Sequence, residues 1–150
     1  FYIHSLLGPR NALQRLAHPS HNRSINRHQW ELGALSSALD CNASDHHAVF
    51  EALRHLIALR KAQPAFHPNA TQFTLHLGDE LFGFWRQSLD QRQSLFCVHN
   101  LTHEEQVLPL SRLNLVVNHR WRELICGAPV EEGLPEWTLA PYQTLWITNA

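Results

Sequence analysis

Histidine is the residue type in this sequence with the most obvious capacity for chemistry. Twelve histidines occur, and three groups of them are close in sequence: His18 with His21, His46 with His47, and His99 with His103. None of these groups has a cysteine or carboxylate at the spacing of a structural zinc site. His46 and His47 are adjacent near a predicted helix start, so they point to different faces of the helix. Surface or hydrogen-bonded histidines are therefore the favoured interpretation, and no metal or other cofactor is expected.

Paired acids are the second group that could do chemistry, because two carboxylates can act as a general acid and base. The pairs are Asp79-Glu80, Glu104-Glu105 and Glu131-Glu132. All three lie in predicted turns of the second half of the chain, where acids are usually solvated. We interpret them as surface charge without a catalytic role.

The composition limits the class of protein. At 150 residues there is room for one modest domain, or for a small domain with a piece of another. Twelve basic residues against thirteen acids leave no excess of positive charge, so a nucleic-acid partner is not expected. No apolar run approaches the roughly 18 residues that cross a bilayer, so no membrane partner is expected. Three widely spaced cysteines (Cys41, Cys97, Cys126) predict reduced thiols in a cytoplasmic protein.

The sequence contains no methionine and starts with the apolar residues Phe1-Tyr2-Ile3. A native N-terminus is usually polar and frayed. These features predict that the chain is a fragment of a longer protein.

The first 66 residues combine one predicted strand, a long loop and helices. Phe1 to Leu7 is a continuous apolar run ended by Gly8-Pro9, which is typical of a strand buried on both faces of a parallel sheet. An arginine-rich loop follows it. Leucines at helical spacing from Leu32 to Leu39 predict a short helix, and an apolar stripe predicts a longer one over 43–62. Asn42 and Ser44 are both candidate N-caps of the longer helix.

From residue 67 onward the apolar pattern alternates, which predicts an antiparallel β domain, expected to be a two-layer sandwich. Four segments are strong strand candidates: 72–77, 81–86, 94–99 and 144–148. Weaker candidates cover 105–110, 121–125 and 136–140. Gly78 to Glu80 and Leu89 to Arg92 are predicted to form hairpin connections.

The order of these elements predicts an α+β chain in which the first part completes a larger fold. A strand followed by a helix is one unit of a (β/α) barrel, and active-site loops leave the C-terminal ends of barrel strands. We therefore expect residues 1–66 to be the last unit of a (β/α)8 catalytic barrel, mainly helical here. Residues 67–150 would then be a C-terminal antiparallel β domain.

Three segments carry a resemblance to a known family: FYIHSLLG at 1–8, NRSINR at 22–27, and LIALRKAQPAFHPNATQ at 56–72. Together they resemble the C-terminal part of α-amylase superfamily enzymes (glycoside hydrolase family 13). The branch they are most similar to is the sucrose-phosphorylase group, with its relatives that act on glucosylglycerate. The resemblance covers essentially the whole chain but only the last quarter or third of such an enzyme.

The resemblance implies a retaining enzyme that transfers a glucosyl unit from a small glucoside to phosphate. The family uses an aspartate nucleophile, a glutamate acid and a second, stabilising aspartate, all of which lie before the last barrel strand. Residues 1–30 contain no aspartate or glutamate, in agreement with that placement. The 150-residue chain alone is therefore expected to be inactive. Nothing separates phosphorolysis from hydrolysis or transglycosylation at this point.

The family also places an arginine in the loop after the last barrel strand, where it contacts the glucosyl unit. Arg23 of NRSINR matches that position, and a planar guanidinium can bond a hydroxyl and a carboxylate together. Asn26 and Arg27 belong to the same motif, and the resemblance implies that they hold the loop conformation. The predicted substrate-binding residues are therefore Arg23, Asn26 and Arg27. The preceding stretch PRNALQRLAHPSHN is less acidic than in related enzymes.

Two other interpretations remain open. Six aromatic residues of the β domain could form a carbohydrate-binding platform or pack in its core: Phe82, Phe84, Trp85, Trp121, Trp137 and Trp146. The chain could accordingly be a non-catalytic carbohydrate-binding or structural module. The apolar run Phe1 to Leu7, if it lacks its neighbouring strands, is also expected to be disordered, rearranged or buried in a self-association contact.

Overall fold

The computed structural model describes residues 2–9, 28–116 and 119–149 of the chain. Its internal contacts fall into two compact units, Phe1–Ala58 and Leu59–Ala150. The first unit contains helices and the second contains mainly antiparallel strands. The α+β fold class predicted from the sequence is confirmed at this level. No helix in the described part of the chain is long and apolar enough to span a membrane.

The first element is a short helix, α1 (Ile3–Leu7), and the strand predicted over Phe1 to Leu7 is therefore wrong. A strand needs a neighbour to accept and donate its ladder hydrogen bonds, and no described strand pairs with this segment. A helical turn satisfies these groups locally. It ends at Gly8, which has φ of 54° and whose N–H donates to the His4 carbonyl at 2.9 Å. Self-association through this segment stays a prediction.

Helix α2 (Leu32–Asp40) begins with an unusual cap. The Glu31 carboxylate accepts hydrogen bonds from the backbone N–H groups of Gly33 (3.0 Å) and Ala34 (2.8 Å). These bonds satisfy donors that the first helical turn leaves unpaired, and they lower the pKa of Glu31 from its ordinary value. The predicted helix over Leu32 to Leu39 is confirmed.

Helix α3 (Asp45–Lys61) also confirms its prediction. Of the two candidate caps, Ser44 is in position, since its hydroxyl accepts from the His46 backbone N–H at 3.1 Å. The helix ends just before Gln63 and Pro64, where proline disfavours a helical conformation for the residue before it. A 3₁₀ turn then covers Pro64–Phe66.

The apolar sides of α2 and α3 are only partly covered. The stripe residues Phe50, Leu53 and Ile57 are half-buried, Val49 is exposed, and neither helix contains a buried residue. Among the described residues of this unit, Leu7 alone is buried. These two helices therefore have an amphipathic pattern without a closed core beneath it.

The described residues of the second unit form seven strands, and all the strands predicted for it are confirmed. They are β1 (Thr71–Leu75), β2 (Leu81–Gln87), β3 (Ser94–Asn100), β4 (Gln106–Pro109), β5 (Trp121–Glu123), β6 (Glu136–Leu139) and β7 (Thr144–Asn149). Five form one antiparallel sheet in the order β1-β2-β3-β7-β5, and β4 pairs with β6 in a second sheet. A 3₁₀ turn covers Leu110–Arg112.

Side chains of both sheets meet in one apolar core. Phe96 and Ile147 of the large sheet cluster with Leu108 and Leu139 of the small sheet, and all four are fully buried. Strand β3 also buries its opposite face, because Leu95 and its neighbours pack against the turn at Pro64–Phe66. This two-sided burial explains the continuous apolar run in β3.

Polar side chains fasten the loops to the large sheet. Arg86 donates to the carbonyls of Ala65 (2.7 Å) and His67 (2.7 Å) and to the amide oxygen of Gln72 (2.8 Å), which holds the chain entering β1 against β2. Asn100, which is buried, donates to the carbonyls of Glu104 (2.7 Å) and Ala140 (2.9 Å). Both side chains donate hydrogen bonds to main-chain carbonyls that the hydrogen bonds of the strands and turns leave without a partner.

Candidate functional site

The three predicted substrate-binding residues, Arg23, Asn26 and Arg27, lie outside the residues that the structure describes. Described residues flank this segment on both sides. Leu7 to Pro9 come before this segment, and His28 to Trp30 come after it.

His46, in the first turn of α3, contacts both of these flanking stretches. Its Nδ1 lies 2.8 Å from the carbonyl oxygen of Leu7. Its ring also meets the indole of Trp30 edge-on, with ring centroids 4.9 Å apart and an interplanar angle of 88°. Trp30 in turn packs edge-on against His28 at 4.5 Å. The chain before and the chain after residues 10–27 are therefore held at one turn of α3.

The neighbouring His47 makes a different contact, in keeping with two adjacent residues pointing to different helix faces. Its Nδ1 lies 2.6 Å from the carbonyl oxygen of Leu39, at the end of α2. A carbonyl oxygen only accepts hydrogen bonds, so Nδ1 carries the proton in both His46 and His47. Each histidine thus acts as a main-chain tether.

Two buried polar atoms in this unit have no hydrogen-bond partner among the described residues: Trp30 Nε1 and His4 Nδ1. A buried donor without an acceptor costs about 1–3 kcal/mol, so such groups are normally paired in a complete site. The described residues therefore provide no hydrogen-bond acceptor for the indole N–H of Trp30.

The other candidate groups do not converge into a reaction centre. No cluster of three or more histidine, cysteine or acidic residues that could hold a metal occurs within residues 2–9, 28–116 and 119–149. The acid pairs Asp79-Glu80, Glu104-Glu105 and Glu131-Glu132 are all exposed. The three cysteines are free thiols. Burial raises the pKa of Cys97 to about 12, which keeps that thiol protonated and inert.

Glu123 is a buried carboxylate that the sequence analysis missed. It is 1% exposed, and its two oxygens accept from the backbone N–H groups of Cys126 (2.6 Å) and Trp146 (2.9 Å). The Glu123 carboxylate also bonds the Cys126 thiol and thereby raises its pKa. The alternation with buried Trp121 in strand β5 was the signal that could have placed Glu123 on an inner face. Its partners are the groups of a turn and a strand, so its role is structural.

The aromatic residues of the β unit pack mainly within its cores. Trp121 is buried, and Trp85, Trp137 and Trp146 are half-buried. Phe82, which is 47% exposed, is the one strongly exposed member of the six aromatic residues considered above. A row of exposed tryptophans for sugar stacking is therefore not formed by these residues, and core packing accounts for them.

An open cleft of about 960 Å³ lies on the β unit, lined by residues of the 110–116, 119–121 and 129–135 stretches. Leu113, Trp121 and Leu134 contribute apolar surface, and Arg120 and Glu131 contribute charge. Both of these charged residues are exposed. The cleft therefore offers surface to a ligand but no enclosed acid or base for catalysis.

Curated relatives match almost the whole chain. It is 30% identical over 155 residues to a glucosylglycerate phosphorylase of Spirochaeta thermophila, an alignment covering 98% of this chain and 26% of the relative. It is 29% identical over 147 residues to a glucosylglycerate phosphorylase of Escherichia coli, covering 97% of this chain and 24% of that protein. This chain is a homologue of the glucosylglycerate phosphorylases.

A solved structure has a similar fold. The α-amylase of Geobacillus thermoleovorans, crystallised with acarbose, superimposes with a TM-score of 0.62 at 16% sequence identity, over 87% of this chain and 26% of the amylase. No protein-family model matches the sequence. The resemblance to the glucosylglycerate-phosphorylase branch of the α-amylase superfamily, inferred from three sequence segments, is thus confirmed.

The chain spans about a quarter of the length of the phosphorylases that it matches. The β unit resembles the C-terminal domain of α-amylase superfamily enzymes. The assignment of residues 1–66 to a barrel and the roles of Arg23, Asn26 and Arg27 are not part of this finding, and both stay proposals.

Proposed function

We propose that the protein to which this chain belongs is a retaining phosphorylase that transfers a glucosyl unit from a small glucoside, glucosylglycerate, to inorganic phosphate. The observation that carries this proposal is the alignment with glucosylglycerate phosphorylases over 97–98% of the chain. The free thiols of Cys41, Cys97 and Cys126 support a reducing, cytoplasmic location for it.

Within that enzyme, we assign residues 1–66 to the end of the catalytic barrel and residues 67–150 to the domain that follows it. Arg23 would contact hydroxyls of the glucosyl unit in the donor subsite, while Asn26 and Arg27 hold the loop that carries it. A guanidinium suits this role because its fixed fork of donors can bond a sugar hydroxyl and a carboxylate at once. The β domain would pack against the barrel and stabilise it.

The incomplete burial of the helical unit supports this assignment. The stripe residues of α3 are half-buried or exposed, and neither α2 nor α3 contains a buried residue. Helices whose apolar side lacks a core gain their stability by packing on other elements. The remaining three quarters of the phosphorylase length would supply those elements.

The described carboxylates support the expectation that this chain alone is inactive. Retaining glycosyl transfer needs two carboxylates close together on either side of the sugar carbon. The acid pairs of the β unit are exposed in turns, and Glu123 is bound to main-chain N–H groups. The nucleophile and the general acid would therefore come from the barrel.

The test is an assay of the complete gene product and, separately, of the 150-residue chain. Each is incubated with glucosylglycerate in the presence and absence of inorganic phosphate, and glucose 1-phosphate and free glucose are measured. We expect glucose 1-phosphate only from the complete protein and only with phosphate. Release of free glucose at the same rate in both conditions would show a hydrolase, and no turnover would refute the proposed class.

The role of Arg23 is tested in the complete protein with R23K and R23M, with R92M as the matched control. Arg92 is an arginine of the β unit with an 89% exposed side chain. Lysine cannot reproduce the bidentate hydrogen bonding of a guanidinium, so R23K should lower kcat/KM by about 10²-fold, and R92M should leave it unchanged. Equal kcat/KM values for R23M and R92M would contradict the assignment.

A further inference from the structure

We propose that Phe82, Phe84 and His99, on one face of the large sheet, form the surface through which the β unit packs against the part of the catalytic barrel that precedes residue 1. These three residues are called the aromatic patch. The inference rests on the proposed function, which assigns a barrel to that part of the protein. All three residues belong to the β unit and lie within the described part of the chain.

The aromatic patch consists of three rings in mutual contact on two neighbouring strands. Phe82 and Phe84 are two residues apart on β2, so their side chains point to the same face of the sheet. Their ring centroids are 5.9 Å apart. The centroid of the His99 ring, on β3, lies 5.8 Å from that of Phe82 and 6.0 Å from that of Phe84. Nδ1 of His99 lies 2.9 Å from the Thr144 hydroxyl oxygen, which holds this ring in place.

The patch is apolar, uncharged and open to water. Phe82 is 47% exposed, and Phe84 and His99 are half-buried. Burial lowers the pKa of His99, so its ring is neutral at pH 7. Arg86 follows on the same face of β2, but its guanidinium already donates to main-chain carbonyls. The centres of protein interfaces are rich in aromatic residues and poor in charge, and an exposed apolar patch of this kind marks such a surface.

The chain enters the β unit on the same face of the sheet. Phe66, in the turn Pro64–Phe66, and Phe84 of the patch pack against one buried cluster there. Phe66 also meets the Trp146 indole, with ring centroids 5.0 Å apart. Arg60 precedes this turn, and its guanidinium lies 5.5 Å from the centre of the Phe66 ring. The covalent connection to the preceding residues therefore lies beside the aromatic patch.

This connection favours the barrel over a separate protein as the partner. The glucosylglycerate phosphorylases that match this chain are about four times as long, so most of such a protein precedes this part. A partner joined by a short stretch of chain has a high effective concentration at the neighbouring surface. Helices form the outer layer of a (β/α) barrel, and their side chains would cover the exposed rings. A second copy of the chain is the alternative occupant.

Phe73 of β1 offers a matched control. It is 46% exposed, nearly the same as Phe82, and it lies on the strand next to β2. Its register partner is Trp85, on which its ring stacks with centroids 5.0 Å apart. Because Trp85 and Phe84 are adjacent on β2, Phe73 lies on the opposite face of the sheet from the patch. Phe73 and Phe82 therefore differ in face but not in residue type or exposure.

The first test is hydroxyl-radical footprinting of the complete protein, read by mass spectrometry. Hydroxyl radicals oxidise phenylalanine rings that water reaches, and each rate is divided by its rate in the urea-unfolded protein. We expect Phe82 to be oxidised at least about fivefold more slowly than Phe73, since a docked surface excludes water. Equal rates would overturn the inference. Protection of Phe82 that disappears on dilution to a monomer would identify a second copy as the occupant and would also overturn it.

The second test compares the variants F82S, F82L and F73S of the complete protein by thermal unfolding. F82S should lower the midpoint by at least about 3 °C more than F73S, because only Phe82 is buried by docking. F82L keeps apolar surface at the interface and should recover at least half of the F82S loss. Equal midpoints for F82S and F73S would contradict the docking.

These readouts do not depend on activity, so the two proposals can fail separately. If the complete protein shows no phosphorolysis while Phe82 is protected relative to Phe73, the proposed function fails and docking through the aromatic patch is upheld. If phosphorolysis is observed while Phe82 and Phe73 are oxidised equally, the proposed function is upheld and the docking surface is refuted.

Discussion

Arg86 should be one of the most important polar side chains for the stability of the β unit. Its guanidinium reaches the carbonyls of Ala65 and His67 at 2.7 Å each and the Gln72 amide oxygen at 2.8 Å. It also lies 3.4 Å from the Ala70 carbonyl. One side chain therefore holds the whole stretch that leads from α3 into β1. The substitution R86M removes every donor but keeps the apolar stem.

The magnitude follows from which acceptors remain buried. A hydrogen bond from a charged donor contributes about 1.5–3 kcal/mol, but acceptors that face water regain a partner when the donor is removed. The bonds to His67 and Gln72 are exposed, whereas those to Ala65 and Ala70 are partly buried. We count the bond to the Ala65 carbonyl at its full value and the other three bonds only in part. R86M should therefore lower the free energy of unfolding by about 2–3 kcal/mol.

Urea unfolding of the 150-residue chain, followed by tryptophan fluorescence, measures this change. R92M is the control, because the Arg92 side chain is 89% exposed and only approaches Asp90 at 4.0 Å; it should change stability by less than about 0.5 kcal/mol. R86K keeps the charge but not the planar fork and should fall between the two. An R86M midpoint indistinguishable from that of R92M would refute the reasoning.

The remaining predictions concern a thiol, an amide and a glycine. Burial raises the pKa of Cys97 to about 12, so its protonated form stabilises the fold fully below about pH 9 and this contribution is lost as the pH rises toward 12. Iodoacetamide at pH 8.5 should accordingly label the exposed Cys41 and not Cys97 in the folded chain, and equal labelling would contradict this. N100A should cost about 1–3 kcal/mol in urea unfolding because it removes a buried amide and leaves two partly buried carbonyls without this donor; an unchanged unfolding midpoint would count against it. G8A should cost about 1–2 kcal/mol, from a φ of 54° and crowding against Val49, and an unchanged midpoint by circular dichroism would show that the turn relaxes freely.

The β unit was predictable because its signals are local. Alternating apolar residues mark strands whose two faces differ in burial, and every predicted strand from Thr71 to Asn149 is present. Gly78 has a φ of 107°, a backbone conformation that glycine adopts readily, in agreement with the connection predicted there. Helix α3 was predictable for similar reasons, since its stripe, its Ser44 cap and the following proline all agree.

The errors arise where a residue's partners are not adjacent in sequence. The run Phe1 to Leu7 has the composition of a buried strand, yet among the described residues no strand pairs with it, and Ile3–Leu7 forms a short helix instead. The Glu31 cap of α2 is a different case, because its bonds are local but glutamate is not a typical cap residue. The alternation with Trp121 could place Glu123 on an inner face, but it does not indicate the N–H groups of a turn and of another strand that bond the carboxylate there.

The sequence likewise predicts only part of the candidate site. The family could be inferred from the sequence, because short segments with distinctive residues identify it, whereas the role of Arg23 stays a prediction. The contacts of His46 could not, because Leu7 and Trp30 are far from it along the chain. The adjacent histidines invited a metal interpretation, and what distinguishes the two side chains is which main-chain carbonyl each one meets.

The two units differ in how they obtain their rigidity, and this difference bears on function. The β unit buries its own core, so its strands need nothing further to stay ordered. Helices α2 and α3 contain no buried residue, and the hydrogen bonds of His46 and His47 to main-chain carbonyls contribute to holding this unit together. A segment of low intrinsic stability opens more readily than a closed core. The helical unit is therefore expected to open more readily than the β unit.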